Sequence, residues 1–254
     1  MLKITLLGTG TSQGVPVIAC TCKVCTSANK KDARLRCAVL VESTNTTFVI
    51  DSGPDFRFQM LRAGVKKLDA VLFTHEHKDH VAGLDDIRPF NYINKKVVDI
   101  FATKQVQEAL KREFSYIFSG SKYPGLPEIN LVSINNQRFS IGDIEVQPIP
   151  VMHHRLPVLG FRINDFVYVT DANYISDASK ALMLNADIIV LNALRHESHI
   201  SHYTLQQAID LIYELKPKKA YLTHISHQMG LYDDVIKELP DNIYLAYDGQ
   251  IFSL

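Results

Sequence analysis

His75-Glu76-His77-Lys78-Asp79-His80 follows the apolar run Ala70-Val71-Leu72-Phe73 and leads into Val81-Ala82-Gly83-Leu84. The pattern is H-x-H-x-D-H. Three imidazoles and a carboxylate this close together are donors of the type that Zn²⁺, Mn²⁺ or Fe²⁺ accept. In an extended loop leaving a strand, alternate side chains share a side. His75 and His77 therefore project together, and Asp79 and His80 follow as the chain turns into a helix. One ion could use all four only if the backbone folded back on itself. The spacing predicts two adjacent metals, the first on His75 and His77, the second on Asp79 and His80. The competing reading is a His-rich surface loop. It fits poorly, because the chain has ten histidines in 254 residues and three of them fall here, directly behind a buried strand.

Working outward, further donors stand at the ends of other apolar runs. Cys20-Thr21-Cys22-Lys23-Val24-Cys25 lies in a polar, irregular loop. Three thiols in C-x-C-x-x-C can surround a tetrahedral Zn²⁺ if a fourth ligand arrives from elsewhere. Cys37, within Arg36 to Val41, is assigned to packing. Asp51 closes the strand Thr47 to Ile50 and either orients a metal-binding imidazole or caps a turn. His153-His154 closes the strand Ile144 to Val151; neighbours in extended chain face opposite ways, so one of the two faces the metals, and the pattern does not choose between them. Asp171, directly after Phe166 to Thr170, either bridges two cations with its two oxygens or caps a turn. His196, His199 and His202 gather in the loop ahead of a helix over Thr204 to Leu215. Thr223-His224-Ile225-Ser226-His227 follows the strand Lys219 to Leu222. One of these two histidines is expected to complete the dimetal site and the other the cysteine site.

Length and composition fit one large α/β domain, and no linker interrupts the alternation of strands and helices, so residues 1–254 are read as a single domain of sheets covered by helices. Lysine plus arginine equals aspartate plus glutamate at 27 each, which removes any global field toward nucleic acid or an anionic membrane. No apolar run approaches the roughly 18 to 20 residues that span a bilayer, and the first residues run straight into a strand, Leu2 to Leu7, without a signal-peptide pattern. A cytoplasmic location is expected, where thiols serve as metal ligands more readily than as disulfides. Gly8 to Gly14 reads as a glycine turn, since no helix pattern follows it as a dinucleotide fingerprint requires. Further expectations are a hairpin of Cys37 to Glu42 with Thr47 to Ile50, a helix over Phe56 to Ala63, and a short helix stopped near Pro89. A strand Val97 to Phe101, a helix Lys104 to Phe114 and a second late helix, Leu231 to Leu239, complete the outline. The Gly/Pro-rich stretch from Ser119 to Pro127 is read as a loop near the site mouth, and Tyr116 and Tyr123 as packing residues.

With these residues in view, the chain resembles the metallo-β-lactamase superfamily over nearly its whole length, and within it the PhnP-type phosphodiesterases, which combine HxHxDH with CxCxxC and a distant histidine. The resemblance implies a four-layer αββα sandwich with the metals at one edge. It implies His75, His77 and His153 on one divalent ion, Asp79, His80 and His224 on the other, and Asp171 bridging them, with zinc or manganese as the metal. His153 is preferred to His154 because the family places its ligand shortly before an apolar stretch and a glycine, here Leu156 to Gly160. Cys20, Cys22, Cys25 and His227 match a structural zinc site. His202 matches a histidine held near the scissile phosphate, and His154, His196 and His199 receive no role.

The expected activity is hydrolysis of a small cyclic phosphodiester, such as 5-phosphoribosyl 1,2-cyclic phosphate. Asp79 and His202 are the expected catalytic residues: a hydroxide held between the two cations would attack phosphorus, and a protonated His202 would stabilise the phosphoryl group or donate a proton to the departing oxygen. The expected partner is a small phosphodiester rather than a membrane or a nucleic acid, and a homodimer is compatible with all of this. Two alternatives are a tRNase Z-like RNA processing nuclease and a non-hydrolytic, metal-stabilised binding protein of the PqqB kind. The neutral charge and the lack of an inserted tRNA-gripping arm weigh against the first, and the complete set of donors weighs against the second.

Overall fold

The computed structural model describes residues 2–120 and 125–254; Tyr123 lies outside the described residues. The strands in chain order are β1 (Lys3–Gly8), β2 (Ala38–Glu42), β3 (Thr47–Ile50), β4 (Ala70–Leu72), β5 (Val98–Ala102), β6 (Ile129–Ser133), β7 (Phe139–Ile141), β8 (Ile144–His153), β9 (Leu156–Ile163), β10 (Phe166–Val169), β11 (Ile188–Asn192), β12 (Lys219–Thr223), β13 (Ile243–Leu245) and β14 (Ile251–Ser253). They form two sheets, ordered β14-β1-β2-β3-β4-β5-β6 and β13-β12-β11-β10-β9-β8-β7. The helices are α1 (Phe56–Ala63), α2 (Lys78–Val81), α3 (Arg88–Asn94), α4 (Lys104–Glu113), α5 (Ser115–Phe118), α6 (Asp177–Met183), α7 (Leu205–Leu215) and α8 (Tyr232–Val235).

Strands apolar on both faces must be covered on both. On β2, Val39 and Val41 enter the layer between the sheets while Ala38 and Leu40 face the helices. On β10, Phe166 and Tyr168 turn inward to that same middle layer, and Val167 and Val169 turn out. The middle layer joins Ile4, Leu6, Phe48 and Ile50 of the first sheet to Val146, Phe161 and Val190 of the second. Outside it, α1, α3 and α4 cover the first sheet through Phe56, Met60, Phe90, Val106 and Leu110. On the other side α6, α7 and α8 cover the second through Met183, Ile209, Ile212, Leu215 and Val235. Three apolar layers between four structural ones give the expected αββα sandwich. Among the described residues no helix is long and apolar enough to cross a membrane.

Several local expectations need correction. Pro89 does not stop a helix: a 3₁₀ turn over Leu84–Ile87 runs directly into α3, and Pro89 sits in the first turn of α3, where an N–H is not needed. The helix expected over Leu231 to Leu239 is helical only across Tyr232–Val235, and the chain tightens into turns ahead of Pro240, which disfavours helical backbone just before it. Helix α6 and the three-residue β7 were not expected. Cys37 stands one residue ahead of β2, buried beneath the second sheet with its sulfur 3.5 Å from Thr223 Oγ1.

Strands β3, β4 and β5 are parallel to one another, as are β10, β11 and β12, and β8 runs parallel to β10 across β9. Asp51 and the histidine and aspartate donors of the dimetal groups lie at or just after the C-terminal ends of β3, β4, β8, β10 and β12.

Candidate metal centre

The loop after β4 carries Thr74 to His77 out of the sheet and starts α2 at Lys78. That turn is packed against the segment after β3 so closely that side chains are excluded. A Cβ on Gly53 would lie 2.0 Å from the Asp79 carbonyl oxygen, and one on Gly83 would lie 2.1 Å from the Gly53 carbonyl oxygen. The Ser52 N–H donates to the His80 carbonyl at 2.8 Å and the Gly83 N–H to the Ser52 carbonyl at 2.8 Å. Glycines here let the two backbones touch, and that contact brings Asp51 under the imidazoles.

Asp51 is fully buried and spends both oxygens on this loop. Its Oδ1 accepts the Thr74 N–H at 2.9 Å, and its Oδ2 accepts the Thr74 hydroxyl at 2.8 Å and lies 2.7 Å from His80 Nδ1. Thr74 Oγ1 is in turn 2.9 Å from His75 Nδ1. One carboxylate thus fixes two imidazoles, His80 directly and His75 through a hydroxyl, and turns both Nε2 atoms the other way. Of the two sequence readings for Asp51, orientation of an imidazole is the one the geometry takes. The structure supports a prediction. Asp51→Asn is expected to weaken metal affinity by about 10- to 100-fold, read by competition with a chelating dye, while the melting temperature of the chelated protein moves little. Unchanged affinity would remove Asp51 from this role.

On the far side of the imidazoles, His75 Nε2 and His77 Nδ1 are 3.1 Å apart. His153, the last residue of β8, joins them, its ring centroid 5.0 Å from that of His77, with its Nδ1 2.9 Å from the Ser201 carbonyl. That carbonyl accepts a proton on Nδ1 and leaves Nε2 as a donor atom. His154 is exposed and does not take part. His75, His77, His153 and Asp171 each offer one donor atom within 4.8 Å of the others, and so do Asp79, His80, Asp171 and His224. Asp171 belongs to both groups. Its Oδ1 is 3.3 Å from His80 Nε2 and 3.0 Å from His224 Nδ1, whereas its Oδ2 faces His75 Nε2 at 3.9 Å.

Two divalent ions fit these residues. His80 Nε2 is buried, has no hydrogen-bond partner among the described residues, and lies 3.2 Å from Asp79 and 3.3 Å from Asp171. Burial works against charge on every group here, yet at His80, His224 and Asp171 it is outweighed. His80 is raised well above the usual imidazole range by Asp79, Asp171 and Asp51, and His224 is raised to about 10 chiefly by Asp171. Asp171 is in turn held well below the usual carboxylate range by His224 and His80. A field that holds protons on two buried imidazoles favours divalent cations at the same place. His75, farther from the carboxylates, is lowered by burial and by His80.

Three of the residues that build this centre, Asp51, Asp171 and His224, have left-handed backbone, with φ of 64°, 50° and 58°. Such φ values are uncommon outside glycine and collect where function requires them. The corner after β10 is held by the buried Asn192, which accepts the Ala172 N–H and donates to the Ala172 carbonyl, both at 2.9 Å. The glycine turn after β1 is also drawn in. Thr11 Oγ1 is 3.2 Å from His224 Nε2, and the Thr11 N–H donates to the Ile225 carbonyl at 3.1 Å.

His202 sits beside both groups, its ring centroid 4.7 Å from His153 and 4.6 Å from His224, and its buried Nδ1 has no hydrogen-bond partner among the described residues. The protonated His202 expected from the sequence is corrected: burial, with the neighbouring His224 imidazole next, pushes its pKa down to about 2, so the ring is neutral. His199 lies against it at 5.1 Å, and His196 Nε2 is 2.9 Å from the Met229 carbonyl, tying its loop to the segment after β12. Tyr116 is partly exposed, and its hydroxyl donates to Asp85.

The cysteine loop closes over the same segment from outside. Cys20, Cys22 and Cys25 place their sulfurs 3.3, 3.4 and 3.6 Å from His227 Nδ1. Bond lengths of about 2.3 Å for Zn–S and 2.0 Å for Zn–N set S···N near 3.5 Å across a tetrahedron, so these four residues fit zinc. The Cys25 N–H and His227 lower the Cys22 thiol to about 6.

Fold and donor geometry together define the metallo-β-lactamase class. Residues 46–225 match the family model described as the beta-lactamase superfamily domain. A crystal structure described as a new diphosphatase from the PhnP family superposes with a TM-score of 0.94 at 37% identity, covering 100% of this chain and 98% of that one. The chain belongs to the beta-lactamase superfamily and, within it, to the PhnP family. Zinc-bound PqqB from Methylobacterium extorquens has the same fold, with a TM-score of 0.82 at 16% identity over 99% of this chain and 100% of that one. A Porphyromonas gingivalis protein named octanoyltransferase is 37% identical over 98% of this chain, and the match spans 51% of that protein's length.

Proposed function

We propose that the chain is a dimetal phosphodiesterase acting on a small, anionic, cyclic phosphodiester. The observation that carries this is the sharing of Asp171 between two complete groups of donors, one oxygen toward each. His75, His77 and His153 would hold one divalent ion and Asp79, His80 and His224 the other; two such ions supply Lewis acidity at phosphorus and a nucleophile at neutral pH. The protein's own part is orientation and hydrogen bonding. Asp51 and the Ser201 carbonyl fix the imidazoles. His202, whose Nδ1 has no hydrogen-bond partner among the described residues, is placed to hydrogen-bond a phosphoryl oxygen. In the net reaction the oxygen of water bonds to phosphorus, the bond to the leaving oxygen breaks, that oxygen takes one proton, and a phosphomonoester remains. Cys20, Cys22, Cys25 and His227 would hold a structural zinc, since all four positions around it are filled by protein. The name diphosphatase carried by the 37% identical PhnP-family structure supports a second reading, cleavage of a P–O–P bond by the same groups.

The test is a turnover panel with Mn²⁺ or Zn²⁺: 5-phosphoribosyl 1,2-cyclic phosphate, a nucleoside 2′,3′-cyclic phosphate, bis(p-nitrophenyl) phosphate, a dinucleoside diphosphate and a precursor tRNA. A metal count runs beside it. About three ions per chain and preference for the cyclic diester are expected. Preference for the diphosphate would select the second reading, and preference for tRNA the nuclease. About one ion per chain with no turnover would select a metal-stabilised binding protein.

A further inference from the structure

Helices α1 and α3 follow the two backbone segments that touch at Gly53 and Gly83, then part and enclose a cavity of about 380 Å³ on the outer face of the first sheet. Met60 and Phe90 are buried at its base, whereas Leu61 and Ile93, which also line it, are 63% and 74% exposed. An apolar wall left open to water is surface that an apolar ligand can cover. Gly64 ends α1 with left-handed backbone at φ 66°, and a Cβ there would meet no atom of the described residues within 4 Å, so this end of the cavity stays clear.

The charges around the cavity are few and uneven. Arg57, Lys66 and Asp86 line it, and none of the three has an ion pair or a hydrogen bond among the described residues. Neighbouring cations are tied, Lys67 to Asp69 at 2.8 Å and Arg62 to Asp248 at 3.3 Å. Asp86 and Arg57 belong to the same end, because a Cβ on Gly83, three residues before Asp86, would lie 2.8 Å from Cβ of Phe56, the neighbour of Arg57. Lys66 stands past Gly64 at the other end of α1, about 12 Å away along an eight-residue helix. A lone cation at one end of an apolar cavity, with balanced charge at the other, complements a long apolar chain that has a single anionic head. Size points the same way. Ten residues line the cavity, where a protein partner engages about 20 to 30 a side, and the volume falls in the range of about 300 to 1,000 Å³ of small-molecule sites.

We propose that the groove between α1 and α3 binds an unbranched, medium-chain aliphatic carboxylate, its tail lying along Met60, Leu61, Phe90 and Ile93 and its carboxylate at Lys66. The lining shares no residue with any of the clusters of metal donors, so this second site is independent of the proposed function.

The experiment is calorimetry on the metal-loaded protein with hexanoate, octanoate and decanoate, each below its micelle concentration, and with octan-1-ol as the uncharged match. Each pair of added methylenes is expected to tighten binding about tenfold. Lys66→Gln is expected to weaken octanoate about threefold, as befits an exposed ion pair, and to leave octanol unchanged. Leu61→Gln and Ile93→Gln, both at exposed positions that carry little of the fold, should each weaken the whole series about tenfold. The site is overturned if no carboxylate binds, if affinity does not rise with chain length, or if Lys66→Gln fails to distinguish octanoate from octanol. Binding that survives both Leu61→Gln and Ile93→Gln overturns it too, since the carboxylate would then sit elsewhere, such as on the metal ions. So does a dimer in sedimentation that Leu61→Gln separates, because a second copy of the chain would then cover the groove.

Discussion

Asp171→Asn is expected to lower turnover by about a thousandfold or more. Removing one donor aimed at developing charge costs about 10²- to 10³-fold, and Asp171 serves two groups at once, facing His80 and His224 with one oxygen and His75 with the other. Asparagine keeps the shape and tolerates the left-handed backbone at this position, so the fold should persist. Metal content by mass spectrometry should fall together with activity. His75→Ala and Asp79→Ala, which each touch one group, should reduce both as well. Turnover within tenfold of wild type with all ions retained would show that the two groups do not act through Asp171.

Cys22→Ala should do the opposite, costing stability far more than rate. Binding of a structural zinc contributes directly to folding free energy, and a site reduced to three ligands is expected to lose about 3 to 5 kcal/mol of that contribution. For a chain of this size that amounts to roughly 10 °C in melting temperature. The four residues join the loop 20–25 to the segment after β12, so loosening them frees a long stretch of the N-terminal region. His227→Ala should match it. The rate per folded molecule should fall by less than about tenfold, because His224 is also held by Asp171, Thr170 and Thr11. A melting temperature unchanged in both variants would mean that the cluster carries no structural ion.

The sandwich and most of the donors could be read from the sequence because both are written locally. Alternating apolar residues on β2 and β10 announce strands covered on two faces, and HxHxDH packs its donors into a single turn of chain. Asp171, His153 and His224 were readable as donors at strand ends, though composition alone left His153 and His154 undecided. What resolves that pair is the Ser201 carbonyl, a backbone atom 48 residues away with no signature in the sequence. Asn192 was hidden for a similar reason: it ends an apolar strand, and its task is to pair with the backbone of Ala172 across the sheet. Thr11 was read as part of a turn in preference to a substrate contact, and its tie to His224 was hidden because that partner is 213 positions away. Helix α6 was missed because its signal is a lone Ser176 cap before seven residues, too short for a periodic pattern to stand out. The charge state of His202 depends on three-dimensional crowding of imidazoles, which no spacing reveals.

The left-handed corners at Asp51, Asp171 and His224 carry a consequence for how this chain can change over time. Each sets a side chain where glycine would sit with less strain. Glycine at Asp51 would relieve the backbone only by leaving the buried Thr74 N–H without its acceptor, so corner and carboxylate can be given up only together with the loop they hold.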